Sequence, residues 1–114
     1  LNEYLKIIKE KLDTDHLIVY GNEDKIVKNV ALCGGSGSDF IKDAYLNKAD
    51  IYITGDIKYH DAQYGDELGL TIVDAGHFHT EKVVLPVIKE YLERNIENIE
   101  IQIYEKSSPP YRLV

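Results

Sequence analysis

His77 and Glu81 are the residues of this chain best suited to hold a metal ion. They sit in Gly76-His77-Phe78-His79-Thr80-Glu81, after an apolar run at 70–73 and before an amphipathic stretch. An imidazole and a carboxylate therefore meet at a strand-to-helix junction. That donor pair suits zinc or iron, and also accepts manganese or nickel. Two donors are too few for a complete tight site, since a catalytic zinc normally has three protein ligands. Taken singly, His77 reads as a satisfied buried histidine and Glu81 as a carboxylate that favours a helix N-terminus. Their pairing behind a glycine turn tips the reading towards ligands.

Asp56 and His60 repeat the same spacing within Gly55-Asp56-Ile57-Lys58-Tyr59-His60-Asp61. The plain reading makes Asp56 a helix cap and His60 a partly exposed helix residue. On one edge with His77, a neutral His60 could instead be a ligand or a general acid/base, and Asp56 could orient substrate. A third segment, Gly34-Gly35-Ser36-Gly37-Ser38-Asp39, could cradle an anion on successive backbone N–H groups. It is not a P-loop, because no Lys-Ser/Thr pair follows. It is not a dinucleotide fingerprint, because Phe40 stands where the third glycine would be. It also reads as a tight turn with Ser38 or Asp39 capping the next helix. On the functional reading Ser36 and Ser38 contact an anionic substrate. His79 should point away from His77 if the chain is extended there, and His16 reads as structural.

The elements that must position these residues follow from periodicity. Helical spacing of Leu1, Tyr4, Leu5, Ile8 and Leu12 predicts a helix over 1–12. Strands are expected at 17–20, 27–33, 50–54, 70–74 and 99–104, and helices at 39–46, 59–68 and 81–94. In the last strand Ile99, Ile101 and Ile103 alternate with Glu100 and Gln102. Pro86 should kink the final helix or mark a later start. Alternating strands and helices imply an α/β fold: a three-layer sandwich with a mixed, largely parallel sheet flanked by helices. One domain covers 1–106, and 107–114 is a tail. Ligands of such sheets bind outside the carboxyl ends of the strands. Three of those ends carry the segments above, so all three line one crevice if the strands are neighbours.

Composition narrows the function. A net charge of -7 argues against general nucleic-acid binding, which relies on basic surface, and against docking on anionic lipid. No apolar stretch approaches a bilayer span. The lone Cys33 excludes an internal disulfide and a cysteine-rich zinc site, and fits a reducing, cytoplasmic location. The chain has no Met, and Leu1-Asn2-Glu3-Tyr4 is no signal peptide. It is expected to be a piece of a longer protein.

Three blocks together resemble the Nif-three-like dinuclear metal-centre family, whose members are often described as type 2 homologues of GTP cyclohydrolase I. They are Val30-Ala31-Leu32-Cys33-Gly34-Gly35-Ser36-Gly37, Ala49-Asp50-Ile51-Tyr52-Ile53-Thr54-Gly55-Asp56, and Asp74-Ala75-Gly76-His77 with Thr80-Glu81. The resemblance covers nearly the whole chain and implies the C-terminal half of such a protein. It implies two α/β halves that enclose two divalent metal ions, with His77 and Glu81 as this half's ligands. The missing N-terminal half would supply a His-His pair and an aspartate. It further implies a ring-shaped homohexamer and a metal-dependent hydrolase of GTP cyclohydrolase type, or a role in metal trafficking.

Three functions then compete. A hydrolase would hold metal on His77 and Glu81, move a proton through His60, and orient a small anionic or nucleotide substrate with Ser36, Ser38 or Asp56. A metal carrier would need the same ligands and no acid/base. An interaction module would use the nine tyrosines as contact surface. Within the metal reading, a self-contained mononuclear site of His60, His77 and Glu81, with or without Asp56, opposes a shared site in which this chain gives only two ligands. The shared site is the expectation.

Overall fold

The computed structural model describes all of residues 1–114. Its centre is a pair of parallel strands, β3 (Ile51–Gly55) and β4 (Thr71–Asp74). Both read as near-continuous apolar runs because both faces of the sheet are covered. Strand β2 (Val30–Ser36) lies parallel to β3 on one side, and β1 (Ile18–Tyr20) lies antiparallel to β4 on the other. The order is therefore β1-β4-β3-β2.

The strand period of two divides the core. Ile51 and Val73 face helix α1 (Asn2–Leu12), where they meet Ile8 and half-buried Leu5 and Leu12. Tyr52 and Ile72 face the opposite way, against Ile41 and Ala44 of helix α2 (Ile41–Leu46). Helix α3 (Tyr59–Glu67) packs on the same side as α2, and its Gly65 lies so close to Ile72 that a Cβ has no room. Helix α4 (His77–Lys82) crosses the ends of β2 and β3. The expected mixed, largely parallel sheet between helical layers is what forms.

Four expectations shift. Strand β2 begins at Val30 and not at 27, because the N–H groups of Lys28 and Asn29 donate to the Asp50 carboxylate at 2.8 and 2.7 Å. It then continues through Gly34, Gly35 and Ser36 with a register irregularity after Leu32, so the glycine segment is strand and not loop. Neither Ser38 nor Asp39 caps a helix: a short 3-10 turn, Ser38–Phe40, leads into α2 with no side-chain cap. The helix expected over 81–94 is two helices, α4 and α5 (Val84–Asn95), parted at Val83. Pro86 sits in the first turn of α5, where its missing N–H costs no helical bond.

The strand expected over 99–104 joins no ladder. Its alternation is present in the sequence, but a strand needs a neighbour, and neither edge of this sheet reaches it. No helix is long and apolar enough to cross a membrane.

Candidate metal centre

Because β2, β3 and β4 are parallel neighbours, their carboxyl ends lie side by side, and the three polar segments converge there. Strand β3 ends at Gly55, and the next residue, Asp56, takes a left-handed backbone with φ 56°. That conformation is uncommon outside glycine and costs about 1–3 kcal/mol unless its surroundings enforce it. Strand β4 ends at Asp74, and Gly76 turns the chain with φ 81° so that α4 starts at His77.

Two side chains bind these turns together. Asp74 Oδ2 accepts from the Ile57 N–H and Oδ1 accepts from the Gly76 N–H, each at 2.9 Å. Thr80 Oγ1 accepts from the Gly35 N–H at 2.9 Å and lies 2.9 Å from the Gly76 carbonyl and 3.0 Å from that of His77. Helix α4 is thus tied to β2, with the β3 and β4 turns tied to each other.

The glycines make this approach possible. A Cβ on Gly55 would stand 2.5 Å from the His77 backbone nitrogen, and one on Gly35 would stand 2.5 Å from Glu81 Oε1. Gly34 is similarly close: its Cβ would stand 2.8 Å from the Thr80 carbonyl oxygen. The glycine-rich segment is a seat for α4. Its Gly35 N–H is already taken by Thr80, and the Tyr52 hydroxyl donates to the Gly37 carbonyl at 2.8 Å. Burial pushes that phenol up to about 12, with the neighbouring Cys33 adding.

The result is a histidine held between two carboxylates. His77 Nδ1 lies 2.7 Å from Asp56 Oδ2, and its Nε2 lies 3.1 Å from Glu81 Oε2. Its pKa is raised above the ordinary 6.5, first by the hydrogen bond to Asp56 and then by the charge of Glu81, against some desolvation. A proton on Nε2 and a metal ion there compete for the same lone pair. With Asp56 on Nδ1, the ring is oriented and its Nε2 is offered beside Glu81, the carboxylate–histidine arrangement that supports metal ligands. Asp56 and Glu81 address opposite ring nitrogens, so the trio does not converge on one ion. No group of three or more His, Cys, Asp or Glu side chains in the chain does so.

The remaining expectations sort by place. Asp56 does not cap α3, whose N-cap is Lys58; it meets His77. His60 is exposed on α3, edge-on to Tyr59 at 5.4 Å, and lines neither cleft beside His77. The self-contained site built on His60, His77 and Glu81 is therefore not assembled. Ser36 ends β2 exposed, and Ser38 opens the 3-10 turn half-buried. His79 lies in a helix and not in extended chain, yet it still faces away from His77, because two residues along a helix turn the side chain by about 200°. Its Nδ1 is buried with no partner.

Two clefts flank the pair. One of about 710 Å³ holds His77 and Glu81 and is walled by Val84, Leu85, Pro110 and Tyr111. The other, about 460 Å³, lies behind Asp56 and is lined by Asp13, Asp15, Asp74 and His79, with Tyr111 again at its rim. Sequence reasoning missed Asp74, Thr80 and Tyr111. The first two stand inside the segments singled out, and their polar types at turn positions were the available signal. Nothing in the sequence brings Tyr111 back to Gly76.

Comparison with known proteins bears on this arrangement. The model of the family described as Duf34/NIF3 (NGG1p interacting factor 3) matches residues 1–110. A Clostridium perfringens protein named GTP cyclohydrolase 1 type 2 homolog is 33% identical over 113 residues, which are 98% of this chain and 43% of that protein. A Bacillus subtilis protein of the same name is 40% identical over 84 residues, 74% of this chain and 22% of that one. The crystal structure of a Bacillus cereus protein related to NIF3 superposes with TM-score 0.84 at 32% identity, covering all of this chain and 32% of that one. The chain thus spans less than half the length of these relatives.

Proposed function

This chain belongs to the Duf34/NIF3 (NGG1p interacting factor 3) family, and from that membership we propose that it is the metal-binding half of a dinuclear divalent-metal protein. The observation that carries the reading is His77, fixed through Nδ1 by Asp56 with Nε2 beside Glu81. The donors fit zinc or iron. His77 and Glu81 hold the metal, Asp56 orients the ring, and Thr80 and Asp74 keep the helix and the two turns in place. Two donors leave the site incomplete, so the remaining ligands come from outside these residues, in keeping with the greater length of the relatives.

The intact protein is a metal-dependent hydrolase acting on a small anionic or nucleotide substrate, with homohexameric assembly. A divalent pair would supply Lewis acidity and an activated water. This chain's own contribution is to bind and orient. Its open cleft is lined by Val84, Leu85 and Tyr111 beside His77 and Glu81, a lining that suits a partly apolar molecule. Asp56 lines that cleft and is the candidate to orient it, whereas Ser36 and Ser38 do not line it. A second reading, a metal carrier without turnover, is favoured by one observation: His60, the candidate acid/base, stands exposed away from His77. His60→Ala separates the two. Loss of turnover in the intact protein with metal retained supports the hydrolase; unchanged behaviour supports the carrier.

The test is a calorimetric zinc titration of this chain beside His77→Ala. Weak binding that disappears in the variant is expected. Equal binding by both proteins would remove His77 from the site and overturn the reading.

A further inference from the structure

The two clefts beside His77 share two residues, Asp56 and Tyr111. They therefore meet at one divide. Asp56 is already engaged there, with its carboxylate on His77 Nδ1. Tyr111 is not. Its neighbours along the chain straddle the same divide: Pro109 lines the smaller cleft and Pro110 the larger. Consecutive prolines hold φ near −65° and stiffen the segment that carries the ring. At its far end the ring reaches the turn before His77, since a Cβ on Gly76 would stand 3.3 Å from the Tyr111 hydroxyl oxygen.

The face of this ring is free. Tyr111 is 53% exposed, and it takes part in no ring–ring or cation–π contact. Phe78, the other aromatic residue of the larger cleft, is occupied: it meets His79 edge-on at 5.5 Å and has Lys82 at 5.6 Å from its centroid. Val84 and Leu85 continue an apolar lining from Tyr111 towards His77 and Glu81. An aromatic face beside a few polar groups is how small-molecule sites bind and orient. Charge sets the direction. Asp13, Asp15 and Asp74 line the smaller cleft, and no Lys or Arg does, so an anionic group is repelled from it.

We propose that Tyr111 is a specificity-determining residue of this site: its ring packs on the aromatic ring of a substrate whose anionic group lies on the His77–Glu81 side of the divide. The substrate class is then an anion that carries an aromatic or heteroaromatic ring. The proposal deepens the metal-centre reading and rests on it only for where the anionic group lies.

Calorimetric titration of the full-length polypeptide with phenyl phosphate and with methyl phosphate, in the presence of zinc, tests this. The two probes share a charged group and differ by a ring. Phenyl phosphate should bind about tenfold more tightly, the scale of one aromatic contact. Tyr111→Ala should remove that preference by weakening phenyl phosphate and not methyl phosphate. Tyr111→Phe keeps the ring and should keep the preference. Zinc affinity should be equal in wild type and both variants, which shows that they are folded with His77 in place. Binding of neither probe, or of both equally, would overturn the Tyr111 proposal, and zinc affinity would still report the metal reading by itself. A ring preference that Tyr111→Ala abolishes in a protein that binds no zinc would overturn the metal reading and keep the role of Tyr111. A preference that survives Tyr111→Ala, or is lost equally in Tyr111→Phe, would overturn the ring contact.

Discussion

Strands β3 and β4 and helix α5 are built from much the same aliphatic residues and put them to opposite use. Ile51, Ile72 and Val73 are wholly buried, each held by neighbours far away in sequence. Val84, Val87 and Ile88 are all exposed. Burying a side chain of this size is worth about 1.5–3 kcal/mol. Strands β3 and β4 collect that stabilisation within the chain, whereas the exposed stripe on α5 collects little of it. The His77–Glu81 pair stands between the two regions, on α4, tied to β2 through Thr80. The difference teaches that hydrophobic periodicity specifies an element's face and leaves open which body fills it.

The contrast can be broken most sharply in the core. Ile72→Ala should cost about 2–5 kcal/mol, because it leaves a cavity between α2, α3 and the sheet; urea denaturation of the chain measures this. Next comes the seam. Gly55→Ala sets a Cβ 2.5 Å from the His77 backbone nitrogen, and backbone cannot swing aside as a side-chain tip can. A loss of about 1–3 kcal/mol is expected, together with a displaced His77 ring resonance.

Asp56→Asn should leave the fold intact and weaken zinc binding by about 10–100-fold, as loss of a partner to a ligating histidine does. It should also lower the pKa of His77, whose rise comes first from Asp56. The sign is fixed by direction. A proton held more tightly in the folded state stabilises it fully below the ordinary 6.5, and that stabilisation fades as pH climbs through the raised folded value. Zinc affinity should rise over the same window. NMR titration of the His77 ring in both proteins reads the shift directly. An Asp56→Asn variant that titrates like the wild type would show that the 2.7 Å contact does not govern His77.

The smallest effect is expected at Ile88→Ala. In this chain alone the change should stay within about 0.5 kcal/mol, as for exposed sites, although the residue type matches Ile72. A cost comparable with Ile72→Ala would mean that α5 is already packed.

The sequence by itself determined most element types, the three-layer α/β class and the glycine turn that parts β4 from the helix after it. Each rests on neighbours two to four residues apart, whose alternation of apolar and polar side chains is a local property. The pairing of His77 with Glu81 was local too, one helical turn. What tertiary structure decided were the contacts between distant segments. Asp56 was expected as a substrate contact or a helix cap and meets His77 because adjacent parallel strands bring β3 and β4 ends together and a left-handed turn aims the carboxylate. The glycines of 34–37 read equally as an anion cradle and as a tight turn; what the structure shows is that they admit α4, a reason that exists only once α4 is there. His60 repeats the spacing and lies exposed on α3, lining neither cleft beside His77. Residues 99–104 had the pattern of a strand and joined no ladder, because a ladder is a property of two segments and no strand of this sheet lies beside them.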